Sequence, residues 1–296
     1  MNREEWLERR RQGIGASDAA AVVGMSPWLT PLELYLDKTG QKIDRPMTQA
    51  QRMGLKLEPI VAEMYAEETG NEIRIPEPLQ KHPETPWIMA NPDRETADQS
   101  INIQIKTTAF RDDEWGSPGT DEVPDQYLIQ VQHEMYVTGQ EITDLAVLFL
   151  AQKEFAIYPI KRSERLIETL IEQETAFWKD HVEPRIPPEP DFDHPTTLKL
   201  LSLMYNKVED KPVEICDEDI TKVAFLVSSY KDAGERIKEL NKQRDHAKAR
   251  MLSIMGESNY VDAGDWVLTR KEVHTDAYQV KPKDYVRFSI KKGKRI

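Results

Sequence analysis

From Ile101 to Lys106 apolar and polar residues alternate without a break, and this stretch limits the possible folds more than any other. Ile101, Ile103 and Ile105 fall on one side and Asn102, Gln104 and Lys106 on the other, the period of a β-strand with one face turned into a core. Helical patterns flank it. Ser17, ahead of a run of small residues, predicts a short helix closed at Gly24. Thr30, Pro31 and Glu33 predict the start of a second helix, which carries Leu32, Leu34, Tyr35 and Leu36 and stops at Gly40. A longer helix is predicted from about Thr48 to Thr69, with Met53, Leu57, Ile60, Val61 and Met64 on its buried face and Gly70 at its end. Residues 72–75 and 87–90 read as short strands, 125–138 as a helix, 145–150 with 155–160 as a hairpin, and Ser163 to about Trp178 as a closing helix.

Five prolines from Pro184 to Pro195 predict a semi-rigid linker or a wrapping segment. Beyond them a long helix is expected from about Asp217 to Met255. Its partial apolar stripe, Ile220, Val223, Val227, Tyr230 and Ile237, is interrupted at Gly234 and Asn241 and is too short for a coiled coil. Short strands near 258–272 and 285–290 and the basic end Lys291, Lys292, Lys294 and Arg295 complete the chain. A length of 296 residues accommodates one large α/β domain and an appendage.

Composition narrows the chemistry. With 39% hydrophobic and 31% charged residues and no apolar run near the roughly 20 residues of a membrane span, a cytoplasmic protein without a membrane partner is expected. Cys216 is the sole cysteine, which excludes an internal disulfide and a cysteine-based zinc site. Any metal must sit on oxygen or histidine. The net charge of −12 argues against a broad phosphate-binding surface, yet a narrow basic track remains compatible with it. Residues 260–296 carry a local excess of four positive charges, as suited to nucleic acid as to a solvated tail.

The chemistry-bearing pattern is Asn91, Pro92 and Asp93 followed by Gln104, Ile105 and Lys106. Period-two alternation puts Gln104 and Lys106 on one face of a strand, and Asp93, expected to end the preceding strand, can face them across a hairpin. Phosphodiester hydrolysis with two divalent ions calls for such a set: carboxylates to hold metal, a cation for the developing charge, and a group that positions water. Glu58, at the margin of its helix's apolar stripe, could reach inward as an additional acid. Gln130 could order a water or a phosphate. The segment GIGASD (13–18) offers flexible backbone and a hydroxyl at a helix start, with Arg10 just before it. Taken singly, each of these also reads as an ordinary surface group, Lys106 as the solvent end of an amphipathic strand.

As a set they are more specific. RRRQGIGASDAA (9–20), SPWLTPLELYLDKTG (26–40), GLKLEP (54–59), NPDR (91–94), IKTT (105–108) and QVQHEMYVTG (130–139) together resemble YqaJ-type viral recombinases, relatives of lambda exonuclease in the PD(D/E)xK nuclease superfamily. The resemblance covers about residues 5–185. It implies an α/β, restriction-endonuclease-like core with a central mixed sheet flanked by helices over 1–190, and a C-terminal extension over 191–296. It also implies a Mg2+-dependent 5′→3′ exonuclease on linear double-stranded DNA, with two ions that Mn2+ can replace. The expected assembly is a homotrimer, working with a single-strand annealing protein in phage-type recombination. Asp93 then matches a metal-binding aspartate, Gln104 the metal-binding glutamate and Lys106 the catalytic lysine. Glu58 matches a glutamate near the second ion, and Gln130 a glutamine beside the site. The carbonyl of Ile105 is a further metal ligand, while Arg10 and Ser17 match residues that grip the 5′-phosphate.

Gln104 is the departure. An amide offers one neutral oxygen where a carboxylate would bring charge, so metal affinity and catalysis should both fall. The intact remaining positions favour a substitution made to trap a DNA complex over a natural weakened variant. Two rival functions follow: a DNA-end-binding protein without catalysis, for which Gln104 speaks, and an endonuclease built on the same core. A pure interaction protein built on the 217–255 helix would leave the N-terminal constellation unexplained.

Overall fold

In the computed structural model, which describes residues 3–41, 47–207, 213–272 and 274, the alternating segment becomes the middle strand of a five-stranded sheet. In chain order, helix α1 (Arg3–Arg11) leads into the two-residue strand β1 (Ile14–Gly15) and helices α2 (Ala16–Val22), α3 (Pro31–Lys38) and α4 (Gln49–Thr69). Strands β2 (Ile73–Arg74), β3 (Gln80–Lys81), β4 (Ile88–Ala90), β5 (Arg94–Thr96) and β6 (Asn102–Thr108) follow. Helix α5 (Asp125–Thr138) then crosses to the hairpin of β7 (Ile142–Phe149) and β8 (Glu154–Lys161). Helix α6 (Glu164–Phe177), a π-helical turn (Trp178–Val182) and helix α7 (Thr197–Met204) end the first of two compact units, residues 1–205.

The large sheet has the order β2-β5-β6-β7-β8 and is mixed: β6 and β7 run parallel and the other pairs antiparallel. A parallel neighbour requires a crossover, and α5 provides it. Register decides what each face carries. Gln104 lies beside Leu145 and Lys106 beside Val147, whereas Ile105 lies beside Ala146. The face with Ile103, Ile105 and Ala146 is covered by Val61, Ala62 and Tyr65 of α4, and the Tyr65 hydroxyl donates to Asp144 Oδ2 at 2.7 Å. The face with Leu145, Val147 and Phe149 is covered by Val131 and Met135 of α5. Lying under α5, the polar side of β6 is not a solvent face; Asn102 and Gln104 are buried.

Strand β1 pairs parallel with β4, which pairs antiparallel with β3. The pairing brings the 13–15 backbone onto the chain at Trp87: Ile14 N–H donates to the Trp87 carbonyl at 2.7 Å, and a Cβ on Gly13 would lie 2.2 Å from that oxygen. Gly13 is therefore required for close approach, and the backbone read as flexible is instead the strand Ile14–Gly15 leading directly into α2.

Local signals account for most helix ends. Thr30 Oγ1 accepts the Glu33 N–H at 3.1 Å, Thr48 and Gln51 form a reciprocal cap, and Gly70 takes the left-handed conformation after α4. Two expectations change. Ser17 does not open its helix: α2 starts at Ala16 with Gly15 as its cap residue, and Asp18 Oδ2 reaches back to the Gly15 N–H at 3.1 Å. Met53 and Ile60 are exposed, because the buried stripe of α4 is narrower than its apolar composition and centres on Val61, Ala62 and Tyr65. Helix α7 was not anticipated; its Leu200 is fully buried in a cluster with Leu34, Tyr35, Phe177 and Trp178.

The second unit, residues 206–296, is described by helix α8 (Asp217–Met255) and the antiparallel pair β9 (Tyr260–Asp262) and β10 (Val267–Thr269). Ile220, Val223, Tyr230 and Ile237 of α8 are exposed, and Met255 is the helix's buried residue. The strand expected at 285–290 and the basic end lie outside the described residues.

Candidate active site

Asp93 sits at the entry to β5, not at the end of the strand before it, and its carboxylate lies against β6. Asp93 Oδ2 accepts two hydrogen bonds, from Gln104 Nε2 at 2.7 Å and from the Ile105 N–H at 2.8 Å. The two halves of the sequence pattern therefore meet directly. In a strand a residue's N–H and C=O point to the same edge, so the Ile105 carbonyl is directed toward Asp93 as well. Burial raises the Asp93 pKa above the ordinary carboxylate value, with Glu58 adding to the rise; Lys106, the Ile105 N–H and Arg94 oppose it.

A cavity of about 240 Å³ opens here. Asp93, Gln104, Lys106 and Gln130 line it, together with Arg10 and Ser17. The structure thus gathers six of the sequence-predicted side chains around one space. Glu58 is not among the lining residues; its Oε1 receives Arg94 Nη1 at 2.9 Å, an ion pair the sequence reading did not foresee. Arg10 Nη2 donates to Ser17 Oγ at 2.9 Å and lies 3.0 Å from Asp18 Oδ1. A larger cleft of about 530 Å³, between α4 and β8, has only the exposed Glu67 and Glu68 as charged groups and no cation to accompany them.

Among the lining residues one ionisable group was missed: Glu134, buried on α5. Gln130 Nε2 donates to its Oε1 at 3.1 Å. Its pKa is pushed up to about 7, first by burial and then by the Asp93 carboxylate, with Lys106 and Gln130 pulling the other way. A signal for it existed. Gln130, Glu134 and Thr138 stand four apart on a helix, which is about 6 Å of rise, and Lys106, Gln104 and Asn102 stand two apart on a strand, about 6.6 Å. The matched spacings form a polar seam, closed at one end by Asn102 Nδ2 donating to Thr138 Oγ1 at 2.9 Å.

The adjoining residue anchors the seam. His133 is wholly buried, with Nδ1 2.7 Å from Glu174 Oε1 and Nε2 2.9 Å from the Met89 carbonyl. Burial alone would lower its pKa, yet the Glu174 carboxylate, with the Met89 carbonyl and Glu134 adding to it, raises it. A protonated ring donates at both nitrogens and ties α5 to α6 and to β4, whose Met89 and Ala90 line the cavity.

The donors suit a hard divalent cation. Asp93, the Gln104 amide and the Ile105 carbonyl would each offer an oxygen donor, the kind Mg2+ and Mn2+ take. Gln104 Oε1 is buried and has no hydrogen-bond partner. Among the described residues no three His, Cys, Asp or Glu side chains converge as a metal-binding group. Any cation here therefore relies on neutral oxygens alongside the carboxylates.

Comparison with known proteins bears on the same region. Residues 5–141 match the YqaJ-like viral recombinase domain. Over 285 residues, 95% of this chain and 87% of the relative, the chain is 31% identical to the uncharacterized protein YqaJ of Bacillus subtilis (strain 168). A crystal structure of LHK-Exo in complex with dAMP shares the fold at a TM-score of 0.50 and 24% identity, covering 62% of this chain and 94% of that one. A crystal structure of the alkaline exonuclease LHK-Exo from Laribacter hongkongensis aligns over the same shares at a TM-score of 0.49 and 24% identity.

Proposed function

The chain belongs to the YqaJ-like viral recombinase domain family, and from that premise we propose that it is a metal-dependent deoxyribonuclease acting 5′→3′ on linear double-stranded DNA. The observation that carries this reading is the convergence of Asp93, Gln104, Lys106 and Gln130 on one cavity that Arg10 and Ser17 also line. In this reading Asp93, Gln104 and the Ile105 carbonyl hold Mg2+, with Glu58 near a second ion and Mn2+ able to substitute. The cation supplies Lewis acidity toward the scissile phosphate and lowers the pKa of water.

The protein's own groups do the rest. Lys106 sits beside the buried carboxylates and brings positive charge to the transferring phosphoryl oxygens. Gln130 orients water or phosphate through its amide. Arg10 and the Ser17 hydroxyl hold the 5′-phosphate, and the guanidinium favours a dianion over a hydroxyl end. The assembly proposed with this activity is a homotrimer around the duplex, with a single-strand annealing protein as partner.

The test is nucleotide release in Mg2+ from a 5′-phosphorylated linear duplex beside a covalently closed circle of the same sequence. Digestion of the linear form alone is expected. Cutting of the circle would indicate an endonuclease. Retained end binding without nucleotide release would leave a DNA-end-binding protein, the reading that Gln104 on its own favours.

A further inference from the structure

We propose that Glu134, projecting from α5, supplies the carboxylate missing from position 104, so that the cation site is built from Asp93 and Glu134 with the Gln104 amide oxygen between them. The inference rests on the nuclease reading for the identity of the ligand, but its geometry is independent of DNA.

Two oxygens carry it. Glu134 is 1% exposed and Gln104 3% exposed, and both line the cavity with Asp93 and Lys106. Glu134 Oε2 and Gln104 Oε1 have no hydrogen-bond partner, whereas the other oxygen or nitrogen of each side chain is held, Oε1 by Gln130 and Nε2 by Asp93. Leaving a polar atom buried and unpaired costs about 1–3 kcal/mol, so two on side chains that line one cavity call for a ligand that accepts electron pairs. The amide orientation is determined by its neighbour: with nitrogen toward Asp93 the contact is a hydrogen bond, and the reverse would set oxygen against a carboxylate.

Charge points the same way. A glutamate at 104 would put three carboxylates, at 93, 104 and 134, on a single small cavity whose lining cations are Lys106 and Arg10, the latter already paired with Asp18. Glutamine keeps two, enough for a divalent ion that takes one or two carboxylates and fills its remaining positions with neutral oxygen and water. The acid has moved from strand to helix, across the seam where the rises of α5 and β6 match. On this account Gln104 is a natural partner of Glu134 and not a disabling change, and catalysis is retained.

The experiment uses the full chain and three variants, Glu134→Gln, Gln104→Glu and the double exchange Gln104→Glu/Glu134→Gln, with Mn2+ as the probe. Mn2+ affinity is measured without DNA by paramagnetic resonance or calorimetry, nucleotide release in parallel, and melting in chelator as the check on folding. Glu134→Gln should weaken Mn2+ at least about tenfold, and the double exchange should recover most of that loss. Unchanged Mn2+ affinity in Glu134→Gln, or a folded double exchange that binds no better than Glu134→Gln, would overturn the assignment. Glu134-dependent Mn2+ binding with no nucleotide release would sink the nuclease reading and leave the site standing. Digestion that ignores Glu134 would do the reverse.

Discussion

Asp18 and Glu134 are both buried carboxylates in the first unit, and they are treated oppositely by their surroundings. Asp18 meets Lys38 Nζ at 2.6 Å, Arg10 Nη2 at 3.0 Å and the Gly15 N–H at 3.1 Å. Burial by itself would raise its pKa, but Lys38 and Arg10 overcome this and hold it well below the ordinary carboxylate range. Glu134 has one amide donor, an unpaired oxygen and a pKa of about 7. A buried acid whose acceptors are filled by the protein is a brace. One left short of donors and lining a cavity, as Glu134 is and the equally underpaired Glu174 is not, is where we propose that a ligand binds.

The comparison breaks hardest at Asp18. Asp18→Asn removes the charge facing Lys38, whose side chain is 1% exposed, and a buried ion pair that loses one partner costs about 3–5 kcal/mol. Denaturant unfolding at pH 7 should show that loss; a change below about 1 kcal/mol would mean Lys38 reaches water and Asp18 is no brace. The pH dependence has a definite sign. The folded pKa of Asp18 lies below the unfolded value of 3.8. Its contribution is therefore fully present above that value and lost as pH falls toward the folded pKa. Asp18→Asn should flatten the acid limb of the stability profile.

Glu134 predicts the opposite slope. Its folded pKa lies above the unfolded 4.5, at about 7. Protonated Glu134 is compatible with the fold, so stability is highest on the acid side and declines as pH rises from about 4.5 through 7, by roughly 3 kcal/mol for a shift of this size. Asp93, Asp144 and His133 are raised as well and titrate in both proteins, so in chelator the parent protein should lose more stability over that window than Glu134→Gln, the difference being the part that belongs to Glu134. Parallel pH profiles for the two proteins would show that Glu134 is not destabilised by its charge.

Divalent metal should then separate the two acids by a somewhat smaller effect. A cation that binds the folded state alone stabilises it by about 2.7 kcal/mol at a hundred times its dissociation constant. Mn2+ at such a level should raise the melting temperature of parent protein at pH 7.5, and Glu134→Gln should need far more Mn2+ for the same rise. Asp18→Asn, less stable from the start, should keep the full increment. An increment that vanished in Asp18→Asn but survived in Glu134→Gln would interchange the roles assigned here.

Why one acid was legible in the sequence and the other was not follows from what each signal encodes. Period two around Ile103 identified β6 and put Gln104 beside Lys106, and Asp93 does meet that face through Gln104 Nε2 and the Ile105 N–H. Local grammar at Thr30, Thr48 and Gly70 delimited helices for the same reason: caps are contacts between near neighbours. Pairings across the fold leave no such trace. Lys38 with Asp18, Arg94 with Glu58 and Gly13 under the Trp87 carbonyl depend on how elements stack. Glu134 sits in a helix where a lone acid usually means solvent, and only the register of Gln130, Glu134 and Thr138 against Lys106, Gln104 and Asn102 distinguishes it. Met53 and Ile60 failed in the other direction, apolar residues on a helix whose buried stripe is narrow.

The smallest effect expected, and the cleanest, belongs to Ser17. Arg10 cannot isolate phosphate recognition, because the same guanidinium also braces Asp18, so that Arg10→Ala changes stability and end binding together. Ser17 separates them. Its exposed hydroxyl accepts from Arg10 Nη2 at 2.9 Å and lines the cavity, while the cap of α2 is made by Asp18 without it. Removing the hydroxyl costs no cap and leaves no buried group unpaired, so Ser17→Ala should stay within about 0.5 kcal/mol of parent stability. In the proposed reading it loses one hydrogen bond to a 5′-phosphate, about 0.5–1.5 kcal/mol, or roughly a twofold to tenfold loss of preference for phosphorylated over hydroxyl duplex ends. Competition between the two ends in Ca2+, which should permit binding without turnover, measures the ratio directly. An unchanged preference in a fully stable Ser17→Ala would move the phosphate away from α2 and leave Arg10 with the bracing role alone.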